Sequence, residues 1–145
     1  MDDIKLQVNK IIQRIREMEN HYGRTINEKT IFRRAGKVVK DTMIQEAPKD
    51  TGRLRQSIDF LNFRRDKRGL RVGARYFSQV DESGNNLKPT GRHAHLVELG
   101  FDLRNGERFP KNEFVRRTYD KTKYQTLQNL EKELAKVQKR FERSL

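Results

Sequence analysis

His93, His95 and Glu98 are the residues whose types and spacing come nearest to metal chemistry in this chain. Imidazole and carboxylate donors at such short intervals suit a zinc-like ion. In a strand, His93 and His95 share one face and Glu98 takes the other. In a helix, His95 and Glu98 share a face and His93 does not. Neither geometry unites all three without a bend, and the third histidine, His21, lies in the first segment. No metal and no cofactor is therefore expected. The chain has no cysteine, which excludes thiolate nucleophiles, disulfides and thiolate zinc sites. It also lacks a Gly-x-Ser-x-Gly elbow and a glycine-rich loop ending in Gly-Lys-Ser/Thr. It reads as a protein that is not an enzyme.

Basic residues form the second constellation. Arg33-Arg34, Arg53 with Arg55, Arg64-Arg65 with Lys67-Arg68, and Arg116-Arg117 are clustered within a total of 33 Lys and Arg against 20 Asp and Glu, a net charge of +13. Such an excess favours an anionic partner, either nucleic acid or an acidic protein face. Arg64, Arg65, Lys67 and Arg68 fall at the tip of an expected hairpin and are the best candidates for a phosphate backbone or a partner surface. A solvated turn that discourages edge-to-edge association is the competing reading. No aromatic residue is interleaved within that cluster, so a stacking platform for single strands is not indicated.

The elements that must position these residues follow from periodicity. Ile4, Val8, Ile11, Ile12, Ile15, Met18 and Tyr22 recur at three- and four-residue steps, which predicts an amphipathic helix from Asp3 to Tyr22, closed by Gly23. Asn27 is a suitable N-cap for a second helix that buries Ile31, Phe32, Ala35, Val38, Val39 and Met43. That helix carries Gly36 in its middle and stops near Glu46, ahead of Pro48. Residues 57–64 and 70–73 read as strands around a 65–69 loop, a third strand is expected over 74–80, and 81–91 is a polar loop. Residues 93–99 fit a strand or a short helix, and 101–110 read as a loop. From about Asn112 the chain is helical, with Leu127, Leu130, Leu134, Val137 and Phe141 forming a heptad-like seam on the domain or on an adjacent subunit. The class is α+β: N-terminal helices over 1–46, a small antiparallel sheet with loops over 47–110, and a long C-terminal helix over 111–145, in one domain.

Four stretches in order carry a resemblance. They are Ala47-Pro48-Lys49-Asp50-Thr51-Gly52-Arg53-Leu54-Arg55-Gln56-Ser57-Ile58, then Val72-Gly73, then His95-Leu96-Val97-Glu98-Leu99-Gly100, then Pro110 through Phe114-Val115-Arg116. Together they resemble the neck or tail-component family of long-tailed bacteriophages, which includes tail-completion proteins related to the minor tail protein Z of phage lambda. Leu99 and Phe101 depart from the aromatic and threonine usual around Gly100, and the 81–91 loop is longer than in compact members. The motif residues in this chain are Pro48, Asp50, Thr51, Gly52, Leu54, Ser57, Ile58, Gly73, Glu98, Gly100 and Phe114. On physical grounds Asp50 or Thr51 can cap a short helical turn, and Ser57 is expected to open the first strand. Glu98, set among apolar neighbours, calls for a partner such as Arg53 or Arg55.

The resemblance implies a structural virion protein: a homo-oligomeric ring at the head–tail junction or upper tail end, needed for tail completion and head–tail joining. Its implied partners are other neck, connector and tail proteins, with non-specific contact to double-stranded DNA in the channel. The place is the virion, after assembly in host cytoplasm. A basic nucleic-acid-binding protein of another kind is the alternative. Neither a secretion signal nor an apolar stretch near the ~20 residues of a membrane span is present, so no membrane partner is expected.

Overall fold

The computed structural model of the chain describes residues 2–49, 53–61, 71–75, 83 and 94–144. In chain order the elements are α1 (Asp2–Tyr22), α2 (Glu28–Ala35), α3 (Lys37–Glu46), α4 (Arg53–Ser57), β1 (Ile58–Leu61), β2 (Arg71–Ala74), α5 (Ala94–Leu99), β3 (Phe101–Asp102), β4 (Arg108–Phe109) and α6 (Phe114–Arg143). The α+β class, with helices at both ends and a small antiparallel sheet between them, is the one the sequence predicts. The contacts divide the chain into two compact units, and α6 contributes residues to both.

The first unit comprises α1, α2 and the C-terminal part of α6. Its core joins Ile11 and Ile15 of α1, Ile31, Phe32 and Ala35 of α2, and Leu127, Leu130, Leu134, Val137 and Phe141 of α6. The α1 stripe and the α6 seam are thus core surfaces of the chain itself. Local chemistry sets the helix ends. Gly23 adopts φ +62, where a side chain would be strained, and the Arg24 amide closes onto the Glu19 carbonyl at 3.3 Å. Asn27 caps α2 as expected, its side chain accepting from the Thr30 amide at 3.2 Å.

One boundary differs. The single helix expected from Asn27 to Glu46 is broken at Gly36, whose φ −86 and ψ 1 end α2 before α3 begins at Lys37. Glycine is the cheapest residue at which to depart from helical ψ, because it gains least from staying helical.

The second unit contains most of α3, then α4, α5, both sheets and the N-terminal part of α6. β1 and β2 pair antiparallel with Ile58 opposite Ala74 and Leu61 opposite Arg71. Met43, Ala47, Ile58 and Phe114 form the core, with Leu54, Val72, Ala94 and Val97 packed on it. Ser57 does not open the strand. It ends α4, with its hydroxyl donating to the Leu54 carbonyl at 2.6 Å. Residues 94–99 are a helix, which resolves the alternative left by their composition.

The expected 101–110 loop contains a miniature hairpin, with Phe101 opposite Phe109 and their rings stacked at 5.0 Å. Its turn uses Gly106 at φ +86 and Asn105, whose side chain accepts from the Glu107 amide at 3.1 Å. The third-strand segment 76–80, the motif residues Asp50, Thr51 and Gly52, the basic residues Arg64, Arg65, Lys67 and Arg68, and His93 lie outside the described residues.

Ile58 is 3% exposed whereas Leu54 is half-buried. Ile58→Ala should therefore cost about 2–5 kcal/mol and Leu54→Ala less, both read by denaturant unfolding. Equal, small losses would show that Ile58 is not a core residue.

Candidate functional site

Of the described motif residues, Glu98, Gly100 and Phe114 lie where α5 meets the start of α6. A six-residue helix cannot hold itself together in water, so its free ends need partners. Glu98 supplies two kinds. Its carboxylate accepts from the Val115 amide at 2.9 Å and the Arg116 amide at 3.2 Å, two of the orphan donors at the α6 N-terminus. Its own carbonyl accepts from the Glu113 amide at 3.1 Å, while the Val97 carbonyl accepts from Asn112 at 2.9 Å. Each helix end thus caps the other, and a negative charge sits at the positive end of α6.

Two residues bend the chain to make this fit. Gly100 has φ +74, and a Cβ there would lie 2.6 Å from the Phe109 carbonyl oxygen. Glu113 has φ 54, a conformation that costs a non-glycine residue on the order of 1–3 kcal/mol. It delivers Phe114, 1% exposed, into the core. For Arg55 the expected pairing with Glu98 is corrected here. Arg55 instead donates to the Ala47 carbonyl at 2.8 Å and the Gln45 carbonyl at 3.2 Å, and the Arg53 side chain lies outside the described residues. Backbone amides at a helix start satisfy a carboxylate as well as a guanidinium does.

The end of α3 is held by cations. Arg117 donates to the Glu46 carboxylate at 2.8 Å, to the Glu46 carbonyl at 3.3 Å, and to both the carbonyl and the side chain of Asn112. Lys121 pairs with the same carboxylate. Hydrogen bonds from Lys121 and then Arg117 outweigh burial and hold the Glu46 carboxyl below its ordinary value of 4.5. At Asp59, burial pushes the carboxyl up. The Lys40 hydrogen bond, the Phe60 amide and the charges of Lys40 and Arg75 outweigh it, leaving the group below its ordinary value. Lys40 stands 3.0 Å and Arg75 2.6 Å from that carboxylate.

A cavity of about 290 Å³ opens beside α5, walled by Met43, Leu61, Val72, Ala94 and Phe114, with Leu99 65% exposed at its edge. His95 and Glu98 both border it, but His95 is exposed and Glu98 is engaged by α6. Among the described residues no three His, Asp or Glu side chains could hold a metal ion. Glu98, Arg55 and Arg117 all engage backbone here. Glu46, Asn112 and Glu113 are not singled out as site residues by the sequence, and Arg117 enters only as part of the Arg116-Arg117 cluster. The Glu46–Arg117 contact spans 71 positions, a distance at which spacing carries no signal.

The family model described as "Bacteriophage HK97-gp10, putative tail-component" matches residues 9–100, more than half of the 145 residues. The chain belongs to the HK97-gp10-like family of phage tail components. No curated protein and no solved structure gives a match. As a member of this family it is a structural protein of the phage tail, located in the virion and interacting with other tail proteins. The matched stretch of this tail component ends at Gly100 and includes Glu98. Among the described residues no helix is long and apolar enough to cross a membrane.

Two substitutions probe the site. Gly100→Ala should unfold the second unit more readily than the control Gly106→Ala, at a more exposed position that strains its own φ but meets no neighbour. Similar losses in denaturant would show that close approach at Gly100 does not matter. Because the Glu46 carboxyl is depressed in the folded chain, its stabilisation is complete above pH 4.5 and disappears as pH falls through the lowered value. The stability gap between the wild type and Glu46→Gln should accordingly shrink from neutral pH to pH about 3. A gap independent of pH would show that the carboxylate is not paired.

Proposed function

We propose that this tail component is a subunit of a homo-oligomeric ring at the head–tail junction or the upper end of the tail. In this reading it is related to the minor tail protein Z of phage lambda and is needed for tail completion and head–tail joining. The family match over residues 9–100 carries the proposal. The motif around Glu98 and Gly100 agrees with it, because the Glu98 carboxylate secures the start of α6 and Gly100 permits the close approach of the chain.

Both compact units belong to one tail-completion domain without enzymatic activity, assembled in host cytoplasm alongside other neck, connector and tail proteins. Pro48, Asp50, Thr51, Gly52, Leu54, Ser57, Ile58, Gly73, Glu98, Gly100 and Phe114 are its structural signature. The net charge of +13 supports non-specific contact with duplex DNA in the channel. Arg64, Arg65, Lys67 and Arg68 are the candidates named from the sequence for that contact or for docking on a partner.

A phage lacking this protein should fill heads and polymerise tails, yet yield particles in which joining fails or tails are malformed. Electron microscopy of the lysate together with the infectious titre reads the outcome. A normal titre with intact particles would refute the proposal.

A further inference from the structure

The C-terminal half of α6 separates its charges by face. Lys132, Lys136, Lys139, Arg140 and Arg143 are all exposed, and on a helix of 3.6 residues per turn they fall within an arc of roughly 100°. No acidic residue of this half-helix lies within that arc. Glu131 is turned toward α1, where Arg14 meets it at 2.9 Å. Glu133 points to the edge of the arc, between Arg34 of α2 at 3.7 Å and Lys136 at 3.0 Å, and is only 15% exposed. Glu142 accepts from Gln138 on another side. Lys132, Lys139, Arg140 and Arg143 form no ion pair among the described residues.

Attraction to the negative end of the helix accounts for Arg140 and Arg143 in the last turn. It does not account for Lys132, Lys136 and Lys139, which lie further up the same stripe.

We propose that this stripe of α6, extended by Arg34 of α2, is a face that binds the phosphate backbone of duplex DNA without reading sequence. The charge density supports this occupant. Five cations span roughly 17 Å of helix at 1.5 Å per residue, against a duplex that presents one negative charge per ~1.7 Å of its axis. The stripe holds no aromatic residue for stacking, and Gln138, which lies between its cations in sequence, falls outside its arc, so no amide there reads a base edge. Long, exposed lysine and arginine side chains suit a duplex that must slide past. The inference deepens the channel contact proposed above and rests on it for its setting. It places that contact on the C-terminal half of α6 rather than on Arg64–Arg68.

The test is binding of the full-length chain to two short duplexes of unrelated sequence, by fluorescence anisotropy over a salt series. The wild type should bind both equally, with affinity falling steeply as salt rises. Lys132→Gln, Lys139→Gln and Arg143→Gln together should flatten the slope of log affinity against log salt by roughly 2–3, at about 0.9 per lost phosphate contact. Circular dichroism should match the wild type. Should the triple variant lose helix, each single substitution should still flatten the slope by about 0.9. Arg104→Gln, Arg108→Gln and Lys111→Gln together, as a control, should leave the slope unchanged.

Three results would overturn the inference: no salt-dependent duplex binding, an unchanged slope in the stripe variants, or displacement of the duplex by polyglutamate at equal charge. The last would assign the face to an acidic protein. Because free chain and duplex suffice for this assay, its failure leaves the phage deletion result untouched, and a failed deletion prediction leaves this binding face untouched.

Discussion

The carboxylate of Glu98 accepts from the amides of Val115 and Arg116, and the order of the second unit follows from that contact. α5 has too few residues to be stable alone, and α6 begins with amides that have no partner within the helix. Joining the two ends answers both needs. It also fixes where Phe114 enters the core beside Met43, Ala47 and Ile58. The approach is close enough that only glycine fits at residue 100, where a Cβ would collide with the backbone of Phe109 and Lys111. Glu113 accepts an unfavourable φ so that this geometry can close.

The excess of positive charge is used in two different ways. Within the second unit, Arg55 and Arg117 donate to carbonyls at the end of α3, where the helix dipole is negative, and Arg117 shares the Glu46 carboxylate with Lys121. These cations are structural. Along the outer face of α6 in the first unit, cations stand together while the acids of the same segment are drawn aside by Arg14, Arg34 and Gln138. Net charge alone does not distinguish these roles; the hydrogen-bond partners do.

What the sequence makes legible is what local chemistry controls. The apolar stripe of α1, the α6 seam from Leu127 to Phe141, the Asn27 cap and the stop before Pro48 all depend on residues within a few turns of one another. The β3–β4 hairpin was legible too, since Asn105-Gly106 is a strong turn signal. Its strands carry no such signal, because they have two residues each and show no alternation. The periodicity runs through Gly36 as mid-helix, whereas the structure ends a helix there. The partner of Glu98 could not be read from side-chain types, because its donors are backbone amides 17 and 18 positions away. The family signature was legible as an ordered set of short motifs, and the matched stretch 9–100 covers the first three of them.

This tail component uses Glu98, Arg55 and Arg117 to hold backbone and presents the cations of α6 outward. Its place in the particle is the claim on which the functional account turns. Electron microscopy of purified virions decorated with an antibody raised against this chain measures that place directly. The account predicts label confined to the head–tail junction or the upper end of the tail. Label scattered over the head, or absent from virions whose lysate contains the protein, would contradict it.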